Sequence, residues 1–163
     1  MPTVTVTRLI DAPAARVWRV FTDLPSRIHW LSTVDAVEVL TPGPFGAGTA
    51  WRETRMTPDG APVTEEFRVE GATPQRRFTV ASPGIGANYR MTYTFTAVEV
   101  GRHRGQTLVT VVQEGAPTGP YGRFLALVFG GLAARAVEGA LRQDLIDLAA
   151  AATRDCDDPV EAA

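Results

Sequence analysis

Few side chains in this 163-residue chain could move a proton or attack a bond. Tyr93 stands between Met91 and Phe95 in an alternating run, so a strand would turn its hydroxyl to the same side as those two apolar neighbours. From there it could orient a ligand oxygen or donate a proton, and a core tyrosine bonded to backbone would share the pattern. Glu53 alternates with Trp51 and Arg55, which carries a carboxylate inward on a tryptophan-bearing face. A buried carboxylate needs a partner, and Arg55 or an arginine of a neighbouring strand would supply one. His29, beside Trp30, has a ring suited to acid–base work near neutral pH, and equally suits a partly exposed structural role. Tyr93, Glu53 and His29 are therefore the candidates for proton handling. His103 lies between two arginines in a polar stretch and reads as solvated. Cys156 sits among Asp155, Asp157 and Asp158, where nothing lowers the pKa of a thiol enough to make it a nucleophile.

Other chemistries are excluded by what is missing. One cysteine and two histidines cannot build a Cys/His zinc site, and no clustered aspartates suggest calcium, so neither a metal nor a cofactor is expected. Gly43, Gly46 and Gly48 precede a strand, whereas a phosphate-cradling glycine loop follows a strand and opens a helix. The 16 basic residues, all arginine, are outnumbered by 18 acids and form no long cluster, which argues against nucleic acid as a partner. A lone cysteine fits a reducing compartment, and the alternating start Thr3 to Val6 resembles no signal peptide, so the cytoplasm is the expected location. The longest apolar run, Phe124 to Ala134, has 11 residues, short of the ~20 that span a bilayer.

The elements that must position these residues can be read from periodicity. Val4, Val6 and Ile10 alternate as in a half-buried strand. Asp11-Ala12-Pro13 then supplies a capping acid and a helix-start proline for a short helix to about Asp23, with a second short helical piece carrying His29 and Trp30. Six further strands are predicted near 34–41, 48–57, 63–72, 76–82, 88–99 and 106–114, and the turn chemistry between them favours antiparallel neighbours. From Pro120 to about Thr153 the chain is rich in Ala, Leu and Arg, which predicts a helix about 50 Å long. Its second half carries Val137, Leu141, Leu145 and Leu148 on one stripe, while its first half is apolar on all sides. The whole reads as one α+β domain over residues 1–155, followed by a flexible acidic tail, 156–163.

Ile10-Asp11-Ala12-Pro13-Ala14-Ala15-Arg16-Val17-Trp18, then Asp23 and Trp30, Gly46-Ala47-Gly48-Thr49 and Leu141-Arg142-Gln143-Asp144-Leu145, resemble the START-like, or SRPBCC, superfamily over nearly the whole chain. The resemblance implies a helix-grip fold, with a seven-stranded curved antiparallel sheet wrapped around the long C-terminal helix and two short helices between strands 1 and 2. It also implies a deep apolar pocket, used across the superfamily for lipid or steroid binding, polyketide cyclisation or partner regulation. The family's glycine-rich loop suggests a lip over that pocket here.

Seven strands are wider than one helix, so the sheet must curl, and small helix residues leave space opposite the aromatics. That space, lined by Trp30, Trp51, Phe67, Phe78, Met91, Tyr93, Phe95, Phe129 and Ala134, suits a small hydrophobic ligand and should exceed ~300 Å³. A carrier or sensor and a polyketide cyclase-like enzyme both fit these residues. A third reading makes Phe124–Phe129 a shallow membrane contact or a homodimer patch instead of core.

Overall fold

The computed structural model describes residues 3–57, 59–84 and 87–154, with side chains described outside 121–133. The predicted tail, 156–163, lies outside the described residues. Strand β1 (Thr3–Ile10) leads into α1 (Ala14–Thr22), a 3-10 turn (Leu24–Ser26) and α2 (Arg27–Trp30). Six strands follow: β2 (Val34–Val39), β3 (Ala50–Met56), β4 (Pro62–Thr73), β5 (Arg77–Pro83), β6 (Ala87–Ala97) and β7 (Thr107–Pro117), then α3 (Gly119–Arg154). All neighbours pair antiparallel in the order β1-β7-β6-β5-β4-β3-β2. The short helices thus carry the chain from one edge of the sheet to the other, which no two-residue turn could do. The chain is a seven-stranded α+β helix-grip fold.

The alternation of the strands decides which side chains face α3. On β6, Met91, Tyr93 and Phe95 are buried; on β7, Thr107, Val109 and Val111 are buried. From α3, Leu141, Leu145, Leu148 and Ala152 fill the space over this face, and α3 packs mainly on β1, β7 and α1. Phe78 is the hub of the aromatic core, with ring centroids at 4.8 Å from Tyr93, 5.0 Å from Phe21 and 5.2 Å from Phe45. Phe45 belongs to the glycine-rich loop before β3, and its insertion between Trp18, Trp51 and Phe78 makes that loop a plug in the core. Gly48 takes φ +89°, its N–H donates to the Val69 carbonyl, and the Val69 N–H donates to the Thr49 carbonyl, so the loop ends by extending the β3–β4 ladder.

One local expectation is corrected. Asp11 does not cap α1: the cap position falls on Pro13, two residues later, where no side chain bonds the first amides. Asp11 instead accepts a hydrogen bond from Gln106 at 3.4 Å, tying the start of the helix to the β6–β7 turn. Among the described residues, no helix is long and apolar enough to cross a membrane.

Candidate functional site

Alternation on β3 turns Trp51, Glu53 and Arg55 to the inner face, where Glu53 is 1 % exposed. Its Oε1 accepts from Arg27 Nε at 2.7 Å and from Trp51 Nε1 at 2.9 Å, and its Oε2 accepts from Arg55 Nη2 at 3.1 Å. The sequence pointed to Arg55 or a strand arginine; the second partner is instead Arg27 of α2, contributed by the crossover between sheet edges. Arg27 is buried, and its guanidinium lies 4.8 Å from the Phe21 ring centroid and 5.7 Å from that of Trp51. Arg55 reaches onward to Asp144 of α3 through two hydrogen bonds and to Thr33 at 2.8 Å. Two guanidiniums and two carboxylates therefore close a charge-balanced group that joins α2, β3 and α3.

Burial alone would push the Glu53 carboxyl up, but Arg27, Arg55 and the Trp51 N–H outweigh it and hold the group below the usual carboxylate range. With both oxygens engaged and the charge stabilised, Glu53 is poorly suited to exchange a proton. Arg55 is likewise held protonated, its desolvation outweighed by Asp144 and Glu53. Burial pushes Tyr93 well above the ordinary tyrosine range, with Asp144 adding to the effect, so its hydroxyl is a hydrogen-bond donor and not a base. Its sole hydrogen-bond neighbour among the described residues is the Met91 sulfur at 3.7 Å, a weak acceptor.

Beside this group lies a cavity of about 240 Å³, partly open to solvent, smaller than the ~300 Å³ expected from sequence. Next to it, Phe21 and Phe45 pack onto Phe78, with ring centroids at 5.0 Å and 5.2 Å. Trp51, Phe67, Phe78, Met91 and Tyr93 line the cavity with Phe21, and α3 contributes Val137, Ala140, Leu141 and Asp144. Other anticipated residues are placed elsewhere. Phe95 packs behind the cavity wall, 5.4 Å from Trp18. Trp30 and the exposed His29 line a shallow outer groove with Val20 and Ala151, and the buried Trp30 indole N–H has no partner among the described residues. Ala134 is half-buried and does not line the cavity. Phe129, with the whole Phe124–Phe129 patch, has side chains outside the described residues.

Sequence reasoning missed Arg27, Asp144, Ser82 and Gln113, all of which line the cavity. Ser82 continues the inner-face alternation of Phe78 and Val80, and Gln113 that of Val109 and Val111, so a period-two reading could have found both. Asp144 directly precedes Leu145 of the apolar stripe, at its edge. Arg27 carried no periodic signal at all. Glu65, opposite Glu53 in the β3–β4 register, stands at the cavity rim. Partial desolvation pushes its carboxyl up, Arg55 opposes this, and Glu53 and Asp144 reinforce it. Among the described residues no three His, Cys, Asp or Glu side chains cluster as metal ligands.

A sheet gripping a long helix around a half-open aromatic cavity defines a START-like protein. The chain belongs to the polyketide cyclase / dehydrase and lipid transport family, whose profile matches residues 1–153. No curated protein matches the sequence significantly. Among solved structures, TTHA0849 from Thermus thermophilus is 27 % identical, with TM-score 0.65 over 92 % of this chain and 99 % of that one. SA2116 from Staphylococcus aureus, a protein of unknown function, is 12 % identical, with TM-score 0.71 over 96 % of each chain. The di-domain ARO/CYC protein BexL of the BE-7585A biosynthetic pathway is 19 % identical, with TM-score 0.68 over 96 % of this chain and 51 % of that one. At these low identities the last two show likeness of fold alone.

Proposed function

We propose that this protein is a cytoplasmic carrier or sensor that binds one small hydrophobic molecule, with its body against Trp51, Phe67, Phe78 and Met91. The observation that supports this reading is a half-open aromatic cavity ending on a charge-balanced ion group. Apolar walls with a few convergent polar groups are what small-molecule sites require. Size narrows the class. A dry cavity of roughly 150 Å³ holds benzene, so about 240 Å³ accommodates a one- or two-ring body better than a two-chain lipid.

Native mass spectrometry of freshly purified protein, followed by thermal shifts with one- and two-ring aromatics, tests the reading. A ligand at 100 times its Kd should stabilise the fold by about 2.7 kcal/mol, and Trp51→Phe should remove most of the accompanying change in tryptophan fluorescence. No stabilisation by any such compound would sink it.

A second reading, a polyketide cyclase-like enzyme, draws support from the family and from the Tyr93 hydroxyl, which lines the cavity and is held among the described residues by the weak Met91 sulfur acceptor. There the cavity would fold a reactive chain and Tyr93 would donate a proton to a developing oxyanion. Turnover of a poly-β-ketone that Tyr93→Phe abolishes would support it; an unchanged product distribution in that variant would remove Tyr93 from the role.

A further inference from the structure

The cavity has a second polar end, distinct from the ion group. We propose that Ser82, Tyr89 and Gln113 form a neutral hydrogen-bonding subsite that receives a hydroxyl or carbonyl group at the far end of the ligand. The inference rests on reading the cavity as a binding site and adds a requirement to it: the ligand carries polar groups at both ends of its apolar body.

Register brings the three together. Ser82 pairs with Tyr89 across β5 and β6, and Gln113 of β7 pairs with Met91, the next inward residue after Tyr89. All three line the cavity. Ser82 is 4 % exposed, yet none of the three side chains hydrogen-bonds any described residue. The enclosed and unpaired side-chain polar atom among the described residues is the Trp30 indole nitrogen, not one of these three groups, whose polar atoms face the cavity and are free to be satisfied by water or by a ligand. Donors and acceptors of this kind on adjacent strands, facing a space that a small molecule can enter, have the chemistry of a ligand contact.

The neutrality of the end follows from where the charges are. Arg27 and Arg55 are committed to Glu53 and Asp144 on the α2, β3 and α3 side. No cation stands on β5, β6 or β7 among the cavity-lining residues described. A carboxylate placed there would be desolvated without a counter-charge, whereas a hydroxyl or carbonyl needs only hydrogen bonds. Two strand spacings, about 10 Å, separate β3 from β5, and Phe67 of β4 lies between them. That separation suits a rigid body with substituents at opposite ends.

Calorimetric titration of the full chain with 2-naphthol, 2,6-dihydroxynaphthalene and 6-hydroxy-2-naphthoate tests the proposal. The diol is expected to bind about 3–10-fold tighter than the mono-ol, the gain of one buried hydrogen bond, and tighter than the carboxylate. In Ser82→Ala and in Gln113→Leu the ratio of diol to mono-ol affinity should fall to within about twofold, on the same scale. Gln113 is half-buried, so its variant serves if Ser82→Ala fails to fold. Equal affinity for diol and mono-ol in the parent protein, preference for the carboxylate, or a ratio unchanged in both variants would overturn the subsite while leaving the binding reading intact. If none of the three probes binds, the cavity reading and the subsite fail together.

Discussion

Arg55 and Asp144, 89 residues apart in the chain, share two hydrogen bonds, Nη1 to Oδ1 at 3.0 Å and Nη2 to Oδ2 at 2.9 Å. This fork locks β3 to α3 at the cavity wall, and the same guanidinium holds Glu53. Helix, sheet and crossover are therefore joined through one charged group, whose members have different energetic roles according to their burial.

Removing one buried partner leaves the other charge desolvated. Arg27→Leu should destabilise the fold by about 3–5 kcal/mol in urea titration, because Glu53 then lacks its nearest counter-charge. Arg52→Leu, whose pairs with Glu38 and Glu66 lie at the surface, should cost no more than about 1 kcal/mol. Similar losses in the two variants would refute the contrast.

The two carboxyls of the β3–β4 pair Glu53 and Glu65 should respond to acid with opposite signs. Glu53 titrates below its ordinary 4.5 when folded, so its stabilisation is complete above that pH and is lost as the pH falls further. Glu65 titrates above 4.5 when folded, so its ionised form is a penalty near neutrality that disappears as the pH falls through the folded value towards 4.5. Urea midpoints measured from pH 7 to pH 3 should show Glu53→Gln losing stability at neutral pH and Glu65→Gln gaining it. Both differences should shrink in acid. A Glu65→Gln midpoint below that of the parent at pH 7 would contradict this.

Phe78, 1 % exposed, separates the cavity from the aromatic cluster around Trp18. Phe78→Ala should cost about 3–5 kcal/mol and merge the new void with the cavity, so larger fused-ring compounds should gain affinity relative to naphthols. Ligand size preference, measured by calorimetry beside chemical denaturation, checks both parts.

Gly48 occupies the left-handed region, and a Cβ added there would meet nothing within 4 Å. The penalty of Gly48→Ala is thus one of backbone conformation, about 1–2 kcal/mol, with cavity affinity unchanged because Phe45 keeps its place in the core. A loss of ligand binding equal to that of a wall variant would instead make this loop part of the site.

The order of elements, the antiparallel sheet and the long helix were legible in the sequence because periodicity of two and of 3.6 is a local signal, written along each segment. The same local rule pointed Trp51, Glu53, Met91 and Tyr93 inward. It stated that Glu53 needed a partner without saying which, since a counter-charge on a non-periodic four-residue helix such as α2, or on α3 some ninety residues away, is chosen by how the chain crosses the sheet. Trp30 and Phe95 carry the same aromatic signature as Trp51 and Phe67, yet the curl of the sheet and the placement of α1 turned one towards an outer groove and the other behind the wall. Side-chain type and spacing determined which face was apolar. Only three-dimensional packing decided which of those apolar residues border empty space, because a cavity is a property of what fails to meet across the interior.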